Sequence, residues 1–191
     1  DPKPYPFIED ASVPPDELAD YAREFRAVLD DHGTSAAFFA HAGSGTLHIR
    51  PVLNLKEGAG VETMHAIAED VTSLVLEHDG AFSGEHGDGR ARTEFNPKLY
   101  GPQLWDAFKA VKSAFDPDWR LNPGTVVYRE EEGETDMRDD LRYGPEYSSL
   151  EPGTVQDFED EGGFSHLVEL CNGCGTCRQT DGETMCPSYR G

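Results

Sequence analysis

Four cysteines stand together near the end of the chain as Cys171-x-x-Cys174-x-x-Cys177, followed after eight residues by Cys186-Pro187. Three thiolates at these intervals, with Gly173 and Gly175 letting the backbone wrap tightly, form a ligand pattern for an iron–sulfur cluster. Structural zinc, which normally takes two separated pairs of ligands, is the second reading. Disulfide bridging suits such close neighbours poorly. In two-cluster ferredoxins the cysteine before proline ligates the other cluster, so Cys186 points to further ligands after residue 191.

A second set of reactive side chains lies in the first half. His41 and His48 flank Gly43-Ser44-Gly45, and a hairpin turn there would bring both rings to one atom. Glu85 and His86 are adjacent inside Gly84-Glu85-His86-Gly87-Asp88-Gly89, a carboxylate and an imidazole in a glycine-framed loop. Two histidines and a carboxylate make three ligands and leave a position for substrate, as in catalytic rather than structural metal sites. A lone strand histidine is more often a half-buried side chain than a ligand. What raises this set is its combination with glycine turns. His32, His65 and His78 read as helix-end or surface residues.

Several elements must position these groups. Leu18, Tyr21, Ala22, Phe25, Val28 and Leu29 recur at helical spacing, with Gly33 as the stop. Residues 36–41 read as a short strand, 42–45 as a turn, and 46–53 as a strand with Leu47 and Ile49 opposite His48 and Arg50. Val61, Met64, Ile67, Ala68, Val71, Leu74 and Val75 predict a second helix closed by Gly80, and residues 81–84 another brief strand. Leu104, Phe108, Val111 and Phe115 predict a third. The pattern is α+β over residues 1–128, an acidic linker over 129–163, and a partial iron–sulfur module over 164–191.

The 37 acids against 16 bases give a net charge of −21, which argues against nucleic-acid binding, where phosphates need Lys and Arg. High acid with scarce lysine resembles proteins of a high-salt cytoplasm. No apolar run is long enough for a transmembrane segment. Asp1-Pro2-Lys3-Pro4-Tyr5-Pro6 reads as an extended linker, and both ends look cut. The expected location is the cytoplasm, with a peripheral position at the inner face of the membrane as a second option.

His41-Ala-Gly-Ser-Gly-Thr-Leu-His48, Ser83-Gly84-Glu85-His86-Gly87 and Leu121-Asn122-Pro123-Gly124 occur in an order and spacing that resembles the C-terminal substrate domain of FAD-linked oxidases. That group includes D-lactate dehydrogenase, the glycolate oxidase flavin subunit and D-2-hydroxyglutarate dehydrogenase. The resemblance covers about Phe38 to Val126. The tail Met185-Cys186-Pro187-Ser188-Tyr189 likewise resembles the 4Fe-4S ferredoxin-type module fused behind the flavin domain in large bacterial and archaeal members.

The resemblance implies a ferredoxin-like antiparallel sheet with helices on one face, and an FAD-binding domain preceding residue 1. It implies His41, His48 and Glu85 as ligands of a divalent metal such as zinc or manganese, His86 as the base, and Asn122 at the flavin edge. The implied reaction is oxidation of a D-2-hydroxy acid to the 2-oxo acid. Electrons would pass from FAD to a cluster at Cys171, Cys174 and Cys177, and on to a downstream acceptor. The family often carries Asp and Asn where this chain has Ser44 and Thr46, and Asn where it has Arg50. Arg50, on the His48 face, can itself clamp a substrate carboxylate through its planar fork. Two rivals use the same residues: a metal-dependent hydrolase, and a non-catalytic electron-transfer or docking module.

Overall fold

Helix α1 spans Leu18–Asp31, and Tyr21, Phe25 and Leu29, four residues apart, fall on one stripe and are fully buried. Helix α2, Gly58–Glu77, buries Val61, Met64, Ile67, Ala68, Val71, Leu74 and Val75 by the same 3–4 spacing. The computed structural model describes residues 2–171 and Gly175, so Cys174, Cys177 and Cys186 lie outside the described residues. The chain divides into two units at Tyr147 and Ser148.

Helices α1 and α2 pack on an antiparallel sheet. Strands β1 (Lys3–Pro4), β2 (Ala11–Ser12), β3 (Ala36–His41) and β4 (Thr46–Leu53) all belong to it. β4 is the centre: β3 pairs along its length, from Ala36↔Pro51 to His41↔Thr46, while β2 and β1 pair with its two ends. A single bridge, Ser12↔Ala81, adds the chain after α2 to the other side of β2. The order Ala81, β2, β4, β3, with a helix after β2 and another after β4, is the β-α-β-β-α-β path of a ferredoxin-like sheet. Leu47, Ile49 and Leu53 enter the core from β4.

Three sequence expectations change here. The N-terminal segment is not an extended linker: Lys3 and Pro4 pair with β4, and Phe7, Ile8 and Ala11 are core. Residues 81–84 form one bridge rather than a strand: the next bond to that segment, from the Gly84 N–H to the Asp10 carbonyl at 2.7 Å, is one residue out of the register set by Ser12↔Ala81. The first unit also continues past Tyr128 to Tyr147. There Met137 is buried, its N–H donates to the Glu94 carboxylate, and Arg138 pairs with Asp136 and with Glu62 at 2.9 Å. Such single anchors leave no periodicity to read. Only 148–163 of the acidic stretch lies outside that unit.

Helix α3, Asn96–Phe115, is broken at Gly101, whose φ of +70° precedes Pro102. Beyond it Trp105, Trp119, Val127 and Tyr128 form a smaller apolar cluster. In the second unit helix α4, Phe164–Glu169, leads directly to Cys171, whose N–H donates to the Val168 carbonyl at 3.2 Å. Among the described residues no helix is long and apolar enough to cross a membrane.

Candidate active site

The β3–β4 register fixes the first part of the site. Phe39 pairs with His48, so their rings stack at 4.8 Å, and His41 ends β3 with its ring 5.0 Å from that of His48. The turn between them is a 3-10 turn, Ala42–Ser44, closed by Gly45 at φ +72°. A Cβ at Gly45 would stand 1.8 Å from the Val13 carbonyl oxygen, so only glycine fits. Ser44 and Thr46 stitch this turn: Ser44 donates to the His41 carbonyl at 3.0 Å, and the Ser44, Thr46 and Ser12 hydroxyls are linked at 3.1 and 2.7 Å.

The second part is the loop after Ala81. Asp10, fully buried at the end of the segment before β2, gathers it from below. Asp10 Oδ2 accepts the Ser83 hydroxyl at 2.8 Å and the backbone N–H groups of Glu85 and His86 at 2.9 and 2.7 Å. Asp10 Oδ1 lies 2.5 Å from the guanidinium of the buried Arg92, which also donates to the Phe7 and Phe82 carbonyls. Burial works to raise the Asp10 carboxyl, but the His86 and Glu85 N–H groups and Arg92 outweigh it and hold its pKa below the ordinary carboxylate range. Further along, burial pushes the Asp88 carboxyl upward despite the Tyr100 hydroxyl at 3.1 Å.

The two parts meet at Glu85. Its Oε1 is 3.6 Å from His41 Nε2 and its Oε2 is 3.6 Å from both His48 Nε2 and His86 Nε2. The ligand atoms of His41, His48 and Glu85 all lie within 4.8 Å of one another. Those gaps are too long for hydrogen bonds. They are close to the edge of a coordination tetrahedron, about 3.4 Å for metal–ligand bonds of ~2.1 Å. His48 sharpens the point: it is only 3% exposed, and its Nδ1 is buried without a hydrogen-bond partner among the described residues. The other nitrogen, Nε2, faces Glu85 and makes no hydrogen bond among the described residues, so its lone pair is available to a cation. The donor set fits a divalent cation.

Beside this group lies a side-chain chain. His86 Nδ1 is 3.0 Å from Glu9 Oε1, and Arg50 Nε donates to Glu9 Oε2 at 2.7 Å. The Arg50 terminal nitrogens have no partner among the described residues, and the guanidinium lies 5.7 Å from the centre of the Phe39 ring, which is half exposed.

The match of the family model for "FAD linked oxidases, C-terminal domain" runs over residues 1–126. The chain belongs to this family. It is 37% identical to the D-2-hydroxyglutarate dehydrogenase of Haemophilus influenzae and 39% identical to that of Escherichia coli, with 98% of this chain and 18% of each relative covered. It is 32% identical to the D-lactate dehydrogenase of Archaeoglobus fulgidus, over 63% of this chain and 26% of that protein. The chain thus spans about a fifth of the length of the first of these relatives. As an FAD-linked oxidase C-terminal domain it places His41, His48, Arg50, Glu85 and His86 together in space.

Asn122 stands in a turn of its own, exposed at φ +47°, with its carbonyl accepting the Thr125 N–H at 3.2 Å; among the described residues it makes no hydrogen bond to the histidine group. Cys171 is exposed at the end of α4. His32 and His78 stand at the C-terminal ends of α1 and α2, as read from the sequence, and His65 lies within α2; each of the three meets a carboxylate, Asp70 at 2.7 Å, Glu94 at 2.6 Å, and Glu17 with Glu24 at 3.2 and 3.1 Å. Residues that the sequence motifs did not single out are Glu9, Asp10 and Arg92. The signal for Glu9 and Asp10 was two acids set between apolar neighbours, Phe7 and Ile8 before and Ala11 after, in a segment whose prolines drew it toward a linker.

Proposed function

We propose that this domain forms the substrate side of an FAD-dependent dehydrogenase that oxidises a D-2-hydroxy acid to the 2-oxo acid. The observation that carries the reading is the convergence of His41, His48 and Glu85 beside His86 and Arg50, within a family defined by FAD-linked oxidation. A divalent cation such as zinc or manganese held by the three ligands supplies Lewis acidity toward the substrate hydroxyl, and FAD, gripped by a domain preceding residue 1, supplies the hydride acceptor.

This chain's own residues do the remaining work. His86 presents Nε2 on the Glu85 side, where it takes the hydroxyl proton as general base. Arg50 offers its two terminal amino groups to a carboxylate, a bidentate match that a dicarboxylate such as 2-hydroxyglutarate satisfies with its far end. The names of the relatives that cover 98% of the chain favour that substrate over lactate, whose named relatives cover 63%. Those longer alignments also take in the cysteine run, which supports a 4Fe-4S cluster at Cys171, Cys174, Cys177 and Cys186, completed after residue 191 and passing electrons to a downstream acceptor. Asn122 is retained as a flavin-edge contact on the resemblance alone.

The test is turnover of D-2-hydroxyglutarate by the flavin-loaded protein that carries this domain. His86→Ala should lower kcat about 10²- to 10⁴-fold with flavin content unchanged. An unchanged rate would refute the assignment of His86 and favour a docking role for the domain.

A further inference from the structure

We propose that Glu9 is a positioning residue that locks the base His86 and the clamp Arg50 into one unit, an inference that rests on the proposed function for its catalytic meaning. Glu9 is 8% exposed, and its two oxygens are divided: Oε1 lies 3.0 Å from His86 Nδ1 and Oε2 2.7 Å from Arg50 Nε. A carboxylate only accepts, so the proton on neutral His86 sits on Nδ1. The other nitrogen, Nε2, is 3.6 Å from Glu85, beyond hydrogen bonding, and keeps its lone pair toward the ligand group. The same carboxylate fixes the plane of the Arg50 guanidinium through Nε and leaves both terminal amino groups for substrate.

The next residue completes the bracket. Asp10 holds the backbone N–H of His86 while Glu9 holds its ring, so one dipeptide sets both position and tautomer of the base. Glu9, His48 and His86 also come close enough to hold an ion. Against that use, both Glu9 oxygens are already taken by shorter contacts, whereas the His41, His48 and Glu85 atoms are unsatisfied by one another. Glu9 organises and does not ligate.

Glu9→Gln separates these roles, because an amide has one acceptor and one donor. The cationic Arg50 claims the amide oxygen, the amide NH2 then faces His86 Nδ1, and the imidazole must move its proton to Nε2. Long-range ¹H–¹⁵N spectra of the metal-free chain in mildly alkaline buffer should show His86 as the Nδ1–H form in the parent and the Nε2–H form in Glu9→Gln. Adding Arg50→Ala frees the amide to turn, and the Nδ1–H form should return. Mn²⁺ affinity should stay within about threefold of the parent, since Glu9 is not a ligand. In the flavin-loaded protein Glu9→Gln should lower kcat ~10- to 100-fold and raise KM, as loss of a residue behind a catalytic group does, with partial rescue by Glu9→Asp. An unchanged tautomer in Glu9→Gln, or a Mn²⁺ affinity lost a hundredfold, would overturn the proposal. If the parent protein oxidises no 2-hydroxy acid, the functional reading fails on its own, and the tautomer spectra still decide whether Glu9 orients His86.

Discussion

Asp10 and Arg92 form a buried ion pair at 2.5 Å directly beneath the loop that presents Glu85 and His86. Neither side chain reaches solvent appreciably, so each charge depends on the other. The pair turns a glycine-rich loop, flexible by composition, into a fixed platform facing the β3–β4 hairpin.

Removing one partner of such a pair leaves an uncompensated buried charge. Arg92→Ala should therefore cost about 3–5 kcal/mol in urea unfolding. It should also weaken Mn²⁺ binding, because Asp10 would no longer hold the Glu85 backbone in place. Unaltered stability would mean that the pair is not buried in solution.

Gly84 has no room for a side chain: a Cβ there would stand 2.0 Å from Ser12 Oγ and 3.0 Å from Ser12 Cβ. Gly84→Ala should destabilise the domain by about 1–3 kcal/mol, as overpacking does. Ser12→Gly in the same chain should restore part of that loss. Thermal unfolding of the single and double variants measures both effects, and an absence of rescue would place the strain elsewhere.

His78 ties the end of α2 to α1 through Glu17 and Glu24. Burial works to lower its pKa, but the Glu24 and Glu17 hydrogen bonds and charges outweigh it and raise the value above the ordinary 6.5. A raised folded pKa stabilises fully below the unfolded value, and the contribution is lost as pH rises through the folded value. Unfolding midpoints should fall from mildly acidic to mildly alkaline pH, and His78→Gln should flatten that part of the slope. A slope that His78→Gln leaves intact would assign it to other groups.

The helices and the central hairpin were legible because burial imposes a period: Tyr21, Phe25 and Leu29 every fourth residue, and Leu47 and Ile49 alternating. The site was legible where glycines frame it, at Gly45 and Gly84. Glu9 and Asp10 were not, because they act through spatial neighbours far along the chain and follow prolines that suggest an open segment. The stretch after Tyr128 was hidden for a different reason. It is held by Met137 and a few ion pairs, which carry no periodic signature.

Met137→Ala should consequently cost about 2–5 kcal/mol, the range for a buried methionine truncated in a core. A linker residue would give no measurable change, so equilibrium unfolding of this one variant separates the two descriptions of residues 129–147.

Arg50→Ala should raise KM for D-2-hydroxyglutarate about 10- to 100-fold, in line with loss of a charge-assisted hydrogen bond, while affecting kcat much less. Steady-state kinetics of the flavin-loaded protein measures the split. Equal losses in kcat with an unchanged KM would remove Arg50 from substrate binding.

In the proposed function His41, His48 and Glu85 together hold one divalent cation. Titration of Mn²⁺ into the metal-free chain, followed by electron paramagnetic resonance, tests it most directly, since thiolates such as those of the cysteine run disfavour this hard ion. One ion should bind per chain, and His48→Ala and Glu85→Gln should each abolish that binding while His32→Ala leaves it intact. Binding of the same strength in the His48 and Glu85 variants would place the cation on other residues.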